Sequence, residues 1–333
     1  MSTNVEVNEP RAVAARGSSL STRKPRRRVR WFEVAGFTIP ALVVYVSFVF
    51  VPIIFGVVMS LYSGTRIAPL DNFVGLQNFI DIFTGARIFG QPFFWDAVRN
   101  NLLIAVVSLL LQGPLALGVA LLLNRKMKFR GIVRLLIFIP YVLSEVITGV
   151  MFQMMLNPGG FVSVWMERIP FLSQWSGTTW LAGGNQGGIT SVTFWTIMVV
   201  LTWKYIGLAI ILFLAGLSGV PEELTEAAQI DGATWWQTQR KVVLPLLGPT
   251  LRIWAFLSII GSFQLFDMVW IMTRGNPTVV GMDTMATYMV QAGMNRDRVG
   301  YGSAIAVVLF VMTLIIALTY QRLILRRDIG KGS

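Results

Sequence analysis

From residue 34 to residue 61 the chain runs for 28 residues without an Asp, Glu, Lys or Arg. A helix of that length is more than enough to cross a hydrocarbon core of about 30 Å. The pattern recurs. Long, nearly uncharged apolar runs place six spans at about 34–61, 100–123, 132–156, 191–217, 250–273 and 302–324. Only 13% of the 333 residues are charged and 54% are hydrophobic, against about 25% charged in a soluble domain. These runs exclude a soluble globular domain and predict an all-α polytopic membrane protein. Pro114 and Pro140 fall inside the second and third spans, where membrane helices tolerate proline as a kink.

The net charge of +12 follows the membrane rather than a nucleic acid. With the N-terminus inside, twenty of the 28 Lys and Arg residues fall in segments on the cytoplasmic side. Seven fall outside, and Lys204 lies within a span. That asymmetry puts both termini in the cytoplasm. The expected organisation is a basic, disordered tail at 1–33, a transmembrane domain at 34–325 and a short cytoplasmic tail at 326–333. The first tail fixes orientation and lacks the apolar core of a cleaved signal peptide. The chain has no Cys and no His, which removes disulfides, thiol chemistry and the commonest metal ligands. The long outer connection, about 157–190, is rich in Gly, Trp and Ser. It reads equally as a partner-facing lid and as a set of interfacial Trp anchors.

One cytoplasmic segment, 218–249, is unlike the rest. It carries two short helical patterns with a break at Asp231 and Gly232. Pro221 can take the first helical position, and Glu222, Glu223 and Glu226 favour the positive N-terminal end. Gly232 permits a positive φ or a close backbone approach. A second helix, about 234–241, runs toward Pro245, which is expected to help stop it. The result is a helix–turn–helix knob. Its Leu224, Ala227, Ala228, Ile230, Trp235 and Trp236 form an apolar, charge-rimmed surface suited to a protein partner.

The spacing of Glu226, Ala227, Ala228, Gly232, Val242, Leu244 and Pro245 resembles the EAA loop of permease subunits in binding-protein-dependent ABC importers. Val242 stands where that family usually has Ile. Further stretches resemble the carbohydrate-uptake branch, the maltose- and glycerol-phosphate-type permeases. They are Gly75-Leu76-Gln77-Asn78-Phe79, Ala215-Gly216-Leu217, Phe263-Gln264-Leu265-Phe266-Asp267 with Trp270, Met272 and Thr273, and Gly300-Tyr301-Gly302-Ser303-Ala304. Arg274-Gly275-Asn276-Pro277 departs from the family's frequent Gly-Gly-Pro turn. The resemblance covers roughly 35–325.

This resemblance implies a multi-pass subunit of a bacterial-type plasma (inner) membrane. It implies a sister permease, two ATPase subunits, an extracytoplasmic solute-binding protein and a sugar substrate. The loop would dock on the ATPase through Glu226, Ala227, Ala228, Asp231, Gly232, Val242, Leu244 and Pro245. The chain has no phosphate-binding G-x-x-x-x-G-K-[ST] stretch. ATP and Mg are therefore expected on the partners, and this chain is expected to bind no cofactor and catalyse nothing itself.

Glu145, Lys204 and Asp267 place ionisable groups within or near spans, at about 2.5–3.5 kcal/mol each if left in hydrocarbon. Two readings stand. In one they line a translocation path, with Glu145 and Asp267 accepting from sugar hydroxyls and Tyr205, Phe263, Phe266 and Trp270 stacking on sugar faces. In the other, Lys204 pairs with a carboxylate to fix helix packing. A stand-alone secondary transporter also accommodates kinked spans and buried charge, but it leaves the cytoplasmic knob without a task. A membrane enzyme lacks a nucleophile–base set.

Overall fold

A computed structural model describes residues 31–85, 94–125, 128–181, 188–276 and 281–325. Most of the basic tail assigned to 1–33, the whole of 326–333, and Arg87, Lys126 and Pro277 lie outside the described residues. The chain divides into two compact units, Met1–Pro52 and Ile53–Ser333. The described residues are helical, with no strand among them, and one isolated antiparallel bridge joins Tyr62 to Phe73.

Four helices are long and apolar enough to cross a membrane: α1 (Ala35–Met59), α3 (Phe94–Leu123), α7 (Val192–Ser218) and α13 (Val299–Ile324). Phe37 and Phe48 of α1 are exposed, as lipid-facing side chains are. Between these helices lie α2 (Gln77–Thr84), α4 (Arg130–Val142), α5 (Glu145–Leu156), α6 (Phe161–Arg168) and α8 (Glu222–Ile230). α9 (Trp235–Leu246), α10 (Gly248–Phe263), α11 (Asp267–Met272) and α12 (Met285–Val290) complete the set. Two helix pairs are bent, by 91° between α4 and the segment that begins α5, and by 68° between α9 and α10. By length and composition the described helices therefore supply four candidate spans, or up to six if each bent pair is one.

The third and fifth runs differ from the continuous spans the sequence predicts. The third breaks after Val142, two residues beyond Pro140. Leu143 and Ser144 are extended, and a new helix starts at Glu145. The fifth breaks at residues 264–266, between α10 and α11. Breaks inside a membrane are stable only where the freed backbone groups find partners. Lys204 Nζ donates to Leu143 O at 2.6 Å, and Thr284 Oγ1 donates to Leu265 O at 2.7 Å. In α3, Pro114 stands two residues past a π-helical turn, Ser108–Gln112, and the helix continues through it.

Three of the resembling motifs have plain mechanical reasons. Asn78 is buried, and its Nδ2 donates to Ser60 O and Tyr62 O, both at 2.9 Å. The side chain thus satisfies carbonyls freed where the first long helix ends. Asn78→Ala leaves them without that donor. We expect a loss of about 2 kcal/mol, read as a lower unfolding temperature of the purified protein in detergent. An unchanged midpoint would count against this role. Gly300 admits no side chain, because a Cβ there would lie 1.8 Å from Tyr62 O. In Ala215-Gly216-Leu217, a Cβ on Gly216 would lie 2.5 Å from Thr250 Oγ1. That glycine lets α10 pack against α7.

The ends of α1 and α13 are also tied by charge. The backbone N–H of Arg66 donates to Asp297 Oδ1 at 2.8 Å, and its Nε donates to the same oxygen at 3.1 Å. The backbone bond first, and the guanidinium beside it, hold the Asp297 carboxyl below its ordinary value. A depressed carboxylate stabilises above its unfolded pKa and ceases to do so as pH falls through the folded one. This tie should therefore hold at neutral pH and open only as pH falls below the ordinary carboxylate value of about 4 and through the lowered folded one. Hydrogen exchange of the Arg66 amide, corrected for the intrinsic rate, should show protection at pH 6 that is lost progressively in that acid range. Protection that stays constant through acid titration of the carboxyl would sink the assignment.

Candidate functional site

The knob is built from two capped helices. α8 begins after Pro221, which precedes the helix rather than occupying its first position, and Glu222 and Glu223 stand in the first turn. At its far end Gly232 adopts φ +80. Gly232 N–H donates to Gln229 O and Ala233 N–H to Ala228 O, each at 3.0 Å. That pair of bonds with a left-handed glycine is the Schellman motif. The Ala228 and Gly232 of the spaced pattern are thus the two ends of one helix stop. A Cβ on Gly232 would meet nothing within 4 Å, so its role is conformational and not close approach.

Thr234 then opens α9. Its Oγ1 accepts from Gln237 N–H, while Thr234 N–H donates to Gln237 Oε1 at 2.8 Å. This capping box is a local signal, Thr234-x-x-Gln237, that spacing alone could have found. Pro245 does not stop the second helix as expected. α9 runs through it to Leu246, because a π-helical turn at Gln239–Val243 precedes the proline, and the chain bends at Leu247 instead. Val243 and Leu247 are buried with Ala116, Ala120, Leu123, Phe213 and Trp254. The knob is therefore rooted among α3, α7 and α10. Arg125, just beyond α3, lies 4.5 Å from the centroid of the Trp235 ring and braces the knob from the side.

Glu226, Ala227, Asp231, Gly232 and Pro245 are exposed, while Ala228, Val242 and Leu244 are half-buried. Beside them Ile230 is 86% exposed and Trp236 63% exposed. An isoleucine so open to solvent, next to an exposed indole and a row of carboxylates, has the make-up of the surfaces that protein partners cover.

The second candidate lies at the break between α4 and α5. Lys204 is buried on α7, and its ammonium caps the C-terminal end of α4 through Leu143 O. Glu145 stands in the first turn of α5 and accepts a short hydrogen bond from the Tyr205 hydroxyl. Each charge sits at the helix end whose dipole favours it, cation at a C-terminus and anion at an N-terminus. Among the described residues Lys204 makes no ion pair with a carboxylate. In place of the carboxylate that one of the two sequence readings gave it, Lys204 takes Leu143 O at the break in the third run. The break was signalled by Pro140 followed by Ser144 and Glu145, a helix-start pattern.

Tyr141 packs against Tyr205 with ring centroids 6.3 Å apart, and the Asp267 carboxylate lies within electrostatic reach of the same phenol. On α11, Asp267 is exposed, and Phe266 and Trp270 stack at 5.4 Å and 25°. Five of the six path residues named from sequence thus fall into two groups, Glu145 with Tyr205, and Asp267 with Phe266 and Trp270. Phe263 stands apart, 2% exposed in a core with Ile82, Tyr288 and Tyr301. Among the described residues no group of three or more His, Cys, Asp or Glu side chains forms a metal site.

Comparison with known proteins follows this geometry. Residues 112–331 match the family described as "Binding-protein-dependent transport system inner membrane component". A probable ABC transporter permease of Pyrococcus horikoshii is 32% identical over 292 residues, 85% of this chain and 92% of that protein. The arabinooligosaccharides transport system permease of Bacillus subtilis is 31% identical, covering 86% of this chain and 87% of its own. The trehalose/maltose transport system permease of Thermococcus litoralis is 30% identical, covering 85% and 90%. The crystal structure of a bacterial ABC transporter that imports alginate contains a chain of the same fold. The TM-score is 0.73 at 22% identity, over 89% of this chain and 96% of that one. With a capped knob rooted in apolar helices and a match that spans two thirds of its length, the chain belongs to the inner membrane components of binding-protein-dependent transport systems.

Proposed function

We propose that the chain is the permease subunit of an ABC importer for a saccharide, crossing the inner membrane six times with both termini in the cytoplasm. α1, α3, α7 and α13 are four spans, and the broken runs supply the third and the fifth. The observation that carries this reading is the knob. It is stopped by a Schellman turn and restarted by a capping box, and it runs into α10 through buried Val243 and Leu247. Such a body moves as one piece with the helices that root it. It converts ATPase closure into rotation of the spans, with Glu226 facing basic groups of the ATPase and Ala227 allowing close approach. Residues 218–249 are the coupling segment of a transmembrane domain at 34–325, between cytoplasmic tails at 1–33 and 326–333.

Saccharide cargo is supported by relatives whose names carry arabinooligosaccharides, trehalose, maltose and lactose. Glu145, Tyr205, Asp267, Phe266 and Trp270 offer acceptors and ring faces along the path, and Phe263 supports them from the core. The chain binds no cofactor. ATP and Mg belong to two ATPase subunits, and a sister permease and an extracytoplasmic binding protein complete the importer. A solved relative is an alginate importer in complex with a pentasaccharide-bound periplasmic protein, an arrangement consistent with this assembly.

The test is a mild-detergent pull-down of the tagged chain from its native membrane, with mass spectrometry. Recovery of an ATPase, a second permease and a binding protein is the expected result. A chain that arrives alone and transports in liposomes without ATP would overturn it in favour of a stand-alone transporter.

A further inference from the structure

A cavity of about 310 Å³ lies where the end of α5, the connection before α7 and the end of α11 meet. The proposed orientation puts it on the outer face. Its volume is at the small end of ligand pockets, roughly 300–1,000 Å³. Leu156, Leu181 and Met272 give it an apolar wall, and Asn157, Trp180, Arg274 and Asn276 give it polar groups.

Two of these polar groups, Trp180 and Arg274, are donors only. The Trp180 indole N–H is buried and has no hydrogen-bond partner among the described residues. Buried donors in folded proteins are paired, so an unpaired one on a cavity wall marks a place for an acceptor. Arg274 is exposed, and its guanidinium uses one N–H on Asn157 Oδ1, at 2.5 Å. That bond aims the planar fork and leaves further N–H groups free for a ligand. Among the described residues no carboxylate lines the cavity.

The backbone adds an independent point. Arg274 adopts φ +54, a conformation that favours glycine. This chain holds an arginine in that conformation despite the strain. Strained side-chain-bearing residues of this kind cluster at ligand sites.

We propose that this cavity is an outer subsite for a saccharide carrying a carboxylate. The acid pairs with Arg274, a ring oxygen or hydroxyl accepts from Trp180, and the apolar wall covers one sugar face. The inference rests on the saccharide-importer reading and narrows the cargo to acidic sugars.

The experiment titrates the whole importer in nanodiscs, without its binding protein, against trigalacturonate and against neutral maltotriose. Binding is followed by tryptophan fluorescence and calorimetry. Trigalacturonate should bind at least about 10-fold tighter than maltotriose. Arg274→Gln should remove about 10-fold or more of that affinity, the range of a charge-assisted hydrogen bond. Arg274→Lys should retain part of it. Trp180→Phe should weaken binding and diminish the fluorescence change. Equal affinities for the two probes, or an unchanged affinity in Arg274→Gln, would overturn the site. Stimulation of ATP hydrolysis by the binding protein is measured separately on the wild-type complex. Stimulation without trigalacturonate binding leaves the importer and removes the subsite. Without stimulation the importer reading fails, and the titration still decides whether the cavity binds the acid.

Discussion

Exchanging Glu226 for Lys is expected to abolish ATP-driven uptake while the protein inserts and folds as before. Glu226 is exposed on α8, and no hydrogen bond or ion pair within the described chain depends on it, so the fold has little to lose. Surface substitutions of this kind change stability by about 0.5 kcal/mol or less. The loss falls on docking. A carboxylate facing basic groups across a buried interface contributes about 2–5 kcal/mol, or roughly 30-fold and more in affinity. Reversal of charge adds repulsion to that loss. The measurement is uptake of labelled sugar in proteoliposomes, alongside co-purification of the ATPase. Glu226→Gln should fall between the two. Normal uptake by the Lys variant would remove Glu226 from the coupling surface, and loss of the protein from the membrane would show a structural role instead.

The apolar runs were legible because a bilayer leaves a chain few choices. A 28-residue stretch with no charge has to satisfy its backbone internally, and α1, α7 and α13 lie within a few residues of the runs that predicted them. The third run's break was read only as a kink at Pro140 and the fifth run's not at all, because hydropathy averages over the residues that matter. In the third run the mean stays apolar across Leu143 and Ser144, and the stabilising partner, Lys204, is 61 positions away on another helix. No local pattern encodes that pairing. Pro245 shows the converse. Its local signal is a helix stop, but a π-helical turn at Gln239–Val243 precedes it and the helix runs on to Leu246.

The knob was more legible than the path, for a physical reason. Its determinants are short-range: a glycine at the helix stop, a threonine at the next start, acids at the first turn. Each acts over three or four residues, so spacing alone reports them. Path residues meet only through tertiary packing. Phe263 and Phe266 sit three apart, yet the break at 264–266 sends one into a core and leaves the other stacked on Trp270. Sequence placed both in one continuous run and on one path, and the interruption separates them.

Replacing Lys204 with Met should destabilise the protein and stop transport together. Methionine preserves length and apolar packing, so what is removed is the charge and its hydrogen bond to Leu143 O. A hydrogen bond from a charged group contributes about 1.5–3 kcal/mol, and its loss leaves the broken end of α4 with an unpaired carbonyl. The Glu145 carboxylate, which interacts electrostatically with Lys204, is left without its neighbouring cation. Unfolding of the purified complex in detergent should come several degrees earlier, on the order of 5 °C. Glu145→Gln in the same background separates charge from packing. If the two groups compensate each other across the break, neutralising Glu145 recovers part of the midpoint lost in Lys204→Met, a coupling that single variants cannot show. Strictly additive losses would mean that Lys204 acts only through Leu143 O. A variant with a wild-type midpoint and full uptake would mean that the broken span needs no cation, and that the 91° bend is held by packing alone.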